Sequence, residues 1–256
     1  MLLGASLGII SALLTVQFIN FNANEINDGS YGFNAALVGM AIFYFLPPTL
    51  FSLALTVFAG AFSTVVMRFW LLKFVELPVF TTPFVITTWL LLLLIEALAV
   101  NIEIPPFTDK TQGDFYLIMR GIAQVMFQSN GLCGVIFIMG LLLHSIKVAT
   151  WAIIGSTAGL LIARALNFPS DIIIMGVYGF NASLTAVALS SRCNQKLWSI
   201  LLGITLAVLL TGVFEYLSIP ALTAPFVLAS WFVIALIKAS DKTLQSYKNL
   251  TLANLT

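Results

Sequence analysis

The chain has 256 residues, of which 60% are hydrophobic and 8% charged, with a mean hydropathy of +1.06 and a net charge of +1. A soluble domain carries roughly 25% charged residues, and no Asp, Glu, Lys or Arg occurs between Ser30 and Met67. A water-soluble fold is thereby excluded, a polytopic helical membrane protein is expected, and the near-neutral charge gives no case for nucleic-acid binding.

Apolar segments fall at about 2–19, 31–46, 49–67, 78–100, 131–146, 148–166, 173–190, 197–216 and 220–238. A full crossing needs roughly 20 residues, and several of these are shorter. Met1 to Val16 lacks a basic start and a clear small-residue cleavage site, so it does not read as a signal peptide. Pro47-Pro48 breaks the chain between two segments. Asn101 to Gly113, with Pro105-Pro106 and mixed charges, reads as a linker. Phe115 to Gln128 is largely apolar but carries Arg120, Gln124 and Gln128. It is too short and too polar to cross alone, so a re-entrant half-helix is expected. Cys133 and Cys193 read as small core residues rather than a disulfide or metal pair. After Lys238 the chain turns polar and is expected to leave the membrane. The domain plan is a first repeat over 1–100, a linker over 101–113, a second repeat over 114–238 and a polar tail over 239–256.

The repeats are visible in two phrases. Leu77-Pro-Val-Phe-Thr-Thr-Pro-Phe84 returns as Ile219-Pro-Ala-Leu-Thr-Ala-Pro-Phe226, with Trp89 and Trp231 at the same offset. Tyr31-Gly-Phe-Asn-Ala-Ala-Leu37 returns as Tyr178-Gly-Phe-Asn-Ala-Ser-Leu184. Duplication in an apolar chain points to a transporter or channel built from two related halves. Gly4 and Gly8 align with Gly155 and Gly159, which sets Met1 opposite Ala152. The second half then has about 40 unmatched residues upstream, Gln112 to Trp151, so the first repeat is expected to lack its opening. A cytoplasmic tail puts Lys238, Lys242, Lys248, Arg192, Lys196, Lys147, Arg68 and Lys73 inside, against Lys110 and Arg164 outside. That count requires an odd number of crossings per repeat, and so halves of opposite orientation. The loop with Glu25 and Asp28 runs against it.

The Pro-Thr-Pro-Phe phrase carries the strongest chemical signal. Proline lacks an N–H, and the carbonyls it frees at membrane depth need a polar ligand or water. Proline is also tolerated at a helix start, but the retention of Thr and Phe in both copies favours a site. Thr81 and Thr223 are expected to face each other. Phe33 and Leu37, and likewise Phe180 and Leu184, share a helical face at i and i+4, as a slot wall or as a packing stripe. Asn34 and Asn181 are expected to bond helix backbone. In the half-helix, Gln124 offers a neutral amide without the cost of a buried charge, and Phe127 shares its face beside Val125. Glu96 and Glu215 are functional candidates because ionisable groups are costly in the membrane, but both sit toward segment ends, which favours snorkelling or a structural pair; His144, at a segment end, reads as an interface residue rather than a proton relay.

Together these phrases resemble the urea transporter family. Its Leu-Pro-x-x-Thr-x-Pro-Phe signature stands in full at 77–84 and with Ile219 for Leu at 219–226. The run Arg120-Gly-Ile-Ala-Gln-Val-Met-Phe-Gln128 and the Tyr-Gly-Phe-Asn phrases also look like that family. The resemblance spans Met1 to about Lys238. It implies an all-α fold of two inverted repeats, each of five transmembrane helices plus a re-entrant half-helix, with the first repeat incomplete here. It implies passive urea permeation through a pore in each protomer of a homotrimer, without a cofactor. Val125, Phe127, Phe180 and Leu184 would wall one slot, and Phe33 and Leu37 would be the first repeat's share of another. Thr81 and Thr223 would form the narrow middle, and Gln124 an entrance. The first repeat's partner of Gln124, Val125 and Phe127 is absent from the sequence. Short termini suggest a bacterial inner-membrane protein.

Two alternatives stand beside this one. The first is a channel for a related amide, ammonia or water, although the aquaporin Asn-Pro-Ala pair is missing. The second is an intramembrane enzyme, which needs a nucleophile with its base, paired carboxylates or metal ligands. One His and scattered carboxylates supply none of these.

Overall fold

The computed structural model describes residues 1–19, 21, 26, 29–74, 76–102, 113–192 and 196–253. Most of the linker, the Glu25 and Asp28 positions and Cys193 lie outside the described residues. Contacts divide the chain into two compact units. The first is Met1–Asp109 with Met126–Gln128 and Leu222–Ala224, and the second is Lys110–Val125, Ser129–Ala221 and Pro225–Thr256.

The first unit contains α1 (Leu2–Phe18), α2 (Ser30–Phe45), α3 (Leu50–Lys73) and α4 (Thr82–Ala97). Helix α1 packs on α2 and α3, and α4 packs on α2 and α3. The break at Pro47-Pro48 is followed by a capping box, in which Thr49 accepts from the Ser52 backbone and the Ser52 side chain answers to the Thr49 backbone. The second unit contains α5 (Asp114–Ala123), the first two residues of a single 3₁₀ turn (Gln124–Met126), α6 (Gly131–His144), α7 (Ile146–Ala165), α8 (Ser170–Ile174), α9 (Val177–Arg192) and α10 (Leu197–Tyr216). The chain then runs into α11 (Ala224–Ala253). Helix α9 packs on α7, α10 and α5.

Among the described residues every regular element is helical. Helices α3, α7 and α10 are long and apolar enough to cross a membrane. Helices α1, α2, α4 and the stretch Ala224–Ser240 are shorter apolar helices, and Asp114–Met126 with Gly131–His144 is a pair bent by 75°. Large apolar side chains stand exposed, among them Phe58 at 76%, Ile136 at 69% and Leu143 at 92%. Lipid is the solvent in which such a surface is stable.

One element differs from expectation. The apolar stretch from 173 divides, because Gly176 takes φ 80° and ends the short helix α8 before α9 begins. The polar tail continues α11 without interruption to Ala253, because no Gly or Pro follows Pro225 to stop it.

Helix contacts also fix the register of the repeats. A side chain at Gly8 would strike the Ala35 backbone, and one at Gly155 would strike the Ala182 backbone. Ala35 and Ala182 occupy the same place in the duplicated Tyr-Gly-Phe-Asn phrase. Gly8 therefore corresponds to Gly155, one helical turn from the alignment of Gly4 and Gly8 with Gly155 and Gly159. Small residues recur every fourth position here, so the sequence leaves that register degenerate. Such residues let helix backbones approach closely. Gly8→Val or Gly155→Val should destabilise the fold by about 1–3 kcal/mol or more, through forced separation of α1 from α2 or α7 from α9. Gly140, whose Cβ would meet nothing within 4 Å, is the control. Thermal unfolding in detergent reads the difference, and equal midpoints for Gly8→Val and Gly140→Ala would refute it.

Candidate functional site

The duplicated phrase builds the start of a helix whose cap is supplied from elsewhere. Thr81 is the N-cap of α4 and makes no side-chain capping bond. Pro83 lies in the first turn, where its missing N–H costs nothing. The N–H of Phe84, in the first turn, instead donates to Asn34 Oδ1 on α2 at 3.2 Å. The amide of Asn34 is used at both ends, since its Nδ2 donates to the Phe80 carbonyl at 3.3 Å. Asn34 is 2% exposed. One buried side chain thus satisfies a helix donor and the bend that leads into it.

The consequence is that the Thr81 hydroxyl is released from capping. Thr81 Oγ1 lies 2.6 Å from Thr223 Oγ1, and either atom can be the donor. Both threonines are buried, and both belong to the first unit. In the second unit Asn181 repeats the device. Its Oδ1 accepts from Phe226 N at 3.2 Å in the first turn of α11, and its Nδ2 donates to Thr211 Oγ1 at 3.3 Å. The internal comparison sharpens the point. Thr82 and Thr87 become Ala224 and Ala229 in the second copy, while Thr81 is kept as Thr223.

Backbone strain collects at the same places. Phe80 and Leu222, equivalent in the two phrases, take φ 46° and 47°, and Phe127 takes φ 55°. Non-glycine residues enter this region at a cost of order 1–3 kcal/mol. Each leads directly into a nominated residue or is one.

The half-helix ends in a network of carbonyl acceptors. Arg120 is fully buried, donates from Nη1 to the Ile174 carbonyl at 2.5 Å and lies over the Tyr116 ring at 4.8 Å. Gln124 donates from Nε2 to the Met175 carbonyl at 2.8 Å and to Ser129 Oγ at 3.1 Å. A carbonyl can only accept, so the Gln124 amide is oriented with its Nε2 toward Met175 and its Oε1 on the other side. Asn130 caps α6 through Leu132 N and also receives the Tyr116 hydroxyl. Arg164 and Asp114 form a 2.7 Å ion pair, exposed enough to contribute little.

The remaining nominated residues separate into two groups. In the first unit, Leu37 is 1% exposed while Phe33 is 47% exposed. Phe127 packs edge-on to Phe84 at 6.1 Å and tilted against Tyr44 at 5.2 Å. In the second unit, Val125 is buried, and Phe180 and Leu184 are half-buried on α9. Sequence reasoning missed Tyr44. Its signal was present, because Phe33, Leu37 and Tyr44 continue one helical stripe. Among the described residues no group of three His, Cys, Asp or Glu is placed to hold a metal ion. Glu96 and His144 stand exposed near helix ends.

A family model described as urea transporter matches residues 1–112 and 115–254. Urea transporter 1 of Ovis aries is 27% identical over 265 residues, an alignment covering 91% of this chain and 67% of the relative. Urea transporter 1 of Mus musculus is 27% identical over 260 residues, covering 90% of this chain and 66% of the relative. The chain thus spans about two thirds of the length of these relatives.

Proposed function

The chain belongs to the urea transporter family, and from that membership we propose that it gives passive, selective permeation of urea through a pore inside each protomer. The observation that carries this is the Thr81–Thr223 hydroxyl pair, held by two asparagine-capped helix starts. Urea is planar, neutral and rich in N–H donors. It needs flat apolar walls and acceptors where water is excluded. Dehydrating a neutral solute costs far less than dehydrating an ion. A lining of Thr, Gln and apolar residues has no fixed charge to replace an ion's hydration.

The roles follow the side chains. Thr81 and Thr223 are the narrow point, and Gln124 offers Oε1 at an entrance. Phe33, Leu37 and Phe127 are wall residues of the first unit, and Val125, Phe180 and Leu184 are wall residues of the second. The wider proposal is a homotrimer in a bacterial inner membrane, organised as repeats over 1–100 and 114–238. It has no enzymatic activity, no cofactor and no nucleic-acid partner.

The test is [14C]urea uptake by purified protein in proteoliposomes. Uptake should saturate and should be unchanged when proton and sodium gradients are dissipated. A large loss on dissipation would indicate a coupled transporter, and absence of uptake would remove the urea assignment.

A further inference from the structure

Helix α2 places Phe33, Leu37 and Tyr44 on one stripe, since spacings of four and seven residues at about 100° each return to within roughly 40° of the same direction. Tyr44 lies about 10 Å along the helix from Leu37. The stripe in the duplicated phrase runs Phe180, Leu184 and then Ser191. Ser191 is exposed on α9, whereas Tyr44 is half-buried on α2. The two copies therefore agree over the apolar wall residues and part at this position.

The ring of Tyr44 is already engaged. Its centroid is 5.2 Å from that of Phe127, with the planes tilted by 38°. Phe84 meets Phe127 edge-on at 6.1 Å. Two rings thus hold Phe127, whose own backbone is in the left-handed region at φ 55°. Tyr44 also packs edge-on to Phe45 at 5.1 Å. Packing alone would be served by phenylalanine. A tyrosine adds a hydroxyl, and a tyrosine hydroxyl away from water ordinarily finds a partner. That of Tyr44 has no hydrogen bond among the described residues, and the side chain is not fully enclosed.

Donors are scarce among the nominated residues. The amide N–H groups of Gln124 go to Met175 and Ser129, and one of those of Asn34 goes to Phe80. The Thr81 and Thr223 hydroxyls share one hydrogen bond, which occupies one O–H and leaves a single threonine donor. Urea brings its own donors but also a carbonyl oxygen with two lone pairs, which needs a donor once dehydrated. We propose that Tyr44 is a specificity-determining residue of the permeation path, fixing Phe127 with its ring and donating its O–H to the carbonyl oxygen of the passing solute. This rests on the urea assignment above.

The experiment measures urea and thiourea permeability in the same proteoliposomes, for the wild type and Tyr44→Phe. Thiourea has the same N–H groups but a sulfur that accepts weakly. Loss of one neutral hydrogen bond should lower urea permeability by about 2- to 10-fold. Thiourea should change little, so the urea-to-thiourea ratio falls. The ratio is independent of how much protein is reconstituted, and a purely structural tyrosine would lower both solutes together. A wild-type ratio in Tyr44→Phe overturns the proposal while leaving the urea assignment standing. Absence of urea permeation in the wild type overturns both.

Discussion

Replacing Thr81 and Thr223 together by valine is expected to lower urea flux by about 5- to 150-fold, the worth of roughly 1–3 kcal/mol for a desolvated polar group left without its partner. The two hydroxyls are 2.6 Å apart and each residue is under 5% exposed. Without solute they share one hydrogen bond. A passing urea exchanges that bond for bonds to itself, so passage costs little net hydrogen bonding. Valine keeps the shape and removes the exchange. The fold should tolerate the double change better than twice the single one. Thr81→Val alone strands the Thr223 hydroxyl in a buried place, whereas the double variant strands neither. The double serine variant keeps both hydroxyls and should be milder. Stopped-flow urea flux and detergent melting on the three variants check both statements. Wild-type flux in the double valine variant would make these threonines packing residues.

The second large effect is expected at Asn34. Asn34→Ala removes the acceptor of Phe84 N–H and the donor to the Phe80 carbonyl in one step. Loss of a helix cap costs about 0.5–2 kcal/mol, and the lost hydrogen bond to the Phe80 carbonyl about 0.5–1.5 kcal/mol more. The start of α4 should then shift, and Thr81 with it. Both thermal stability and urea flux per folded protein should fall. Asn34→Asp separates the two contributions. It retains an acceptor at a helix N-terminus, where negative charge is favoured, but loses the donor to Phe80. An Asn34→Ala variant with native melting and native flux would show that α4 does not depend on this cap.

Asn34 also shows how far the sequence could be read. Its retention as Asn181 marked it as a backbone-bonding residue, but the backbone it serves lies 46 to 50 residues away. Gln124 was legible as a neutral amide in a half-helix. Which way its amide is turned depends on the Met175 carbonyl, which precedes the break at Gly176. Tyr44 has no counterpart in the second copy, where Ser191 stands at its place, so duplication does not mark it.

The sequence by itself determined the membrane class, the helical fold, the duplication and the family. These follow from hydropathy and from phrases of neighbouring residues, which act through local propensity and through the exclusion of water from backbone groups. The threonines were nominated by the same phrases. Only the tertiary structure decided that two hydroxyls 142 residues apart lie in hydrogen-bond contact, that Gly8 rather than Gly4 pairs with Gly155, and that Tyr44 meets Phe127. Such pairings depend on close packing between distant segments. In a chain where small and apolar residues recur every turn, one-turn shifts of a helix look alike until its neighbours are in place.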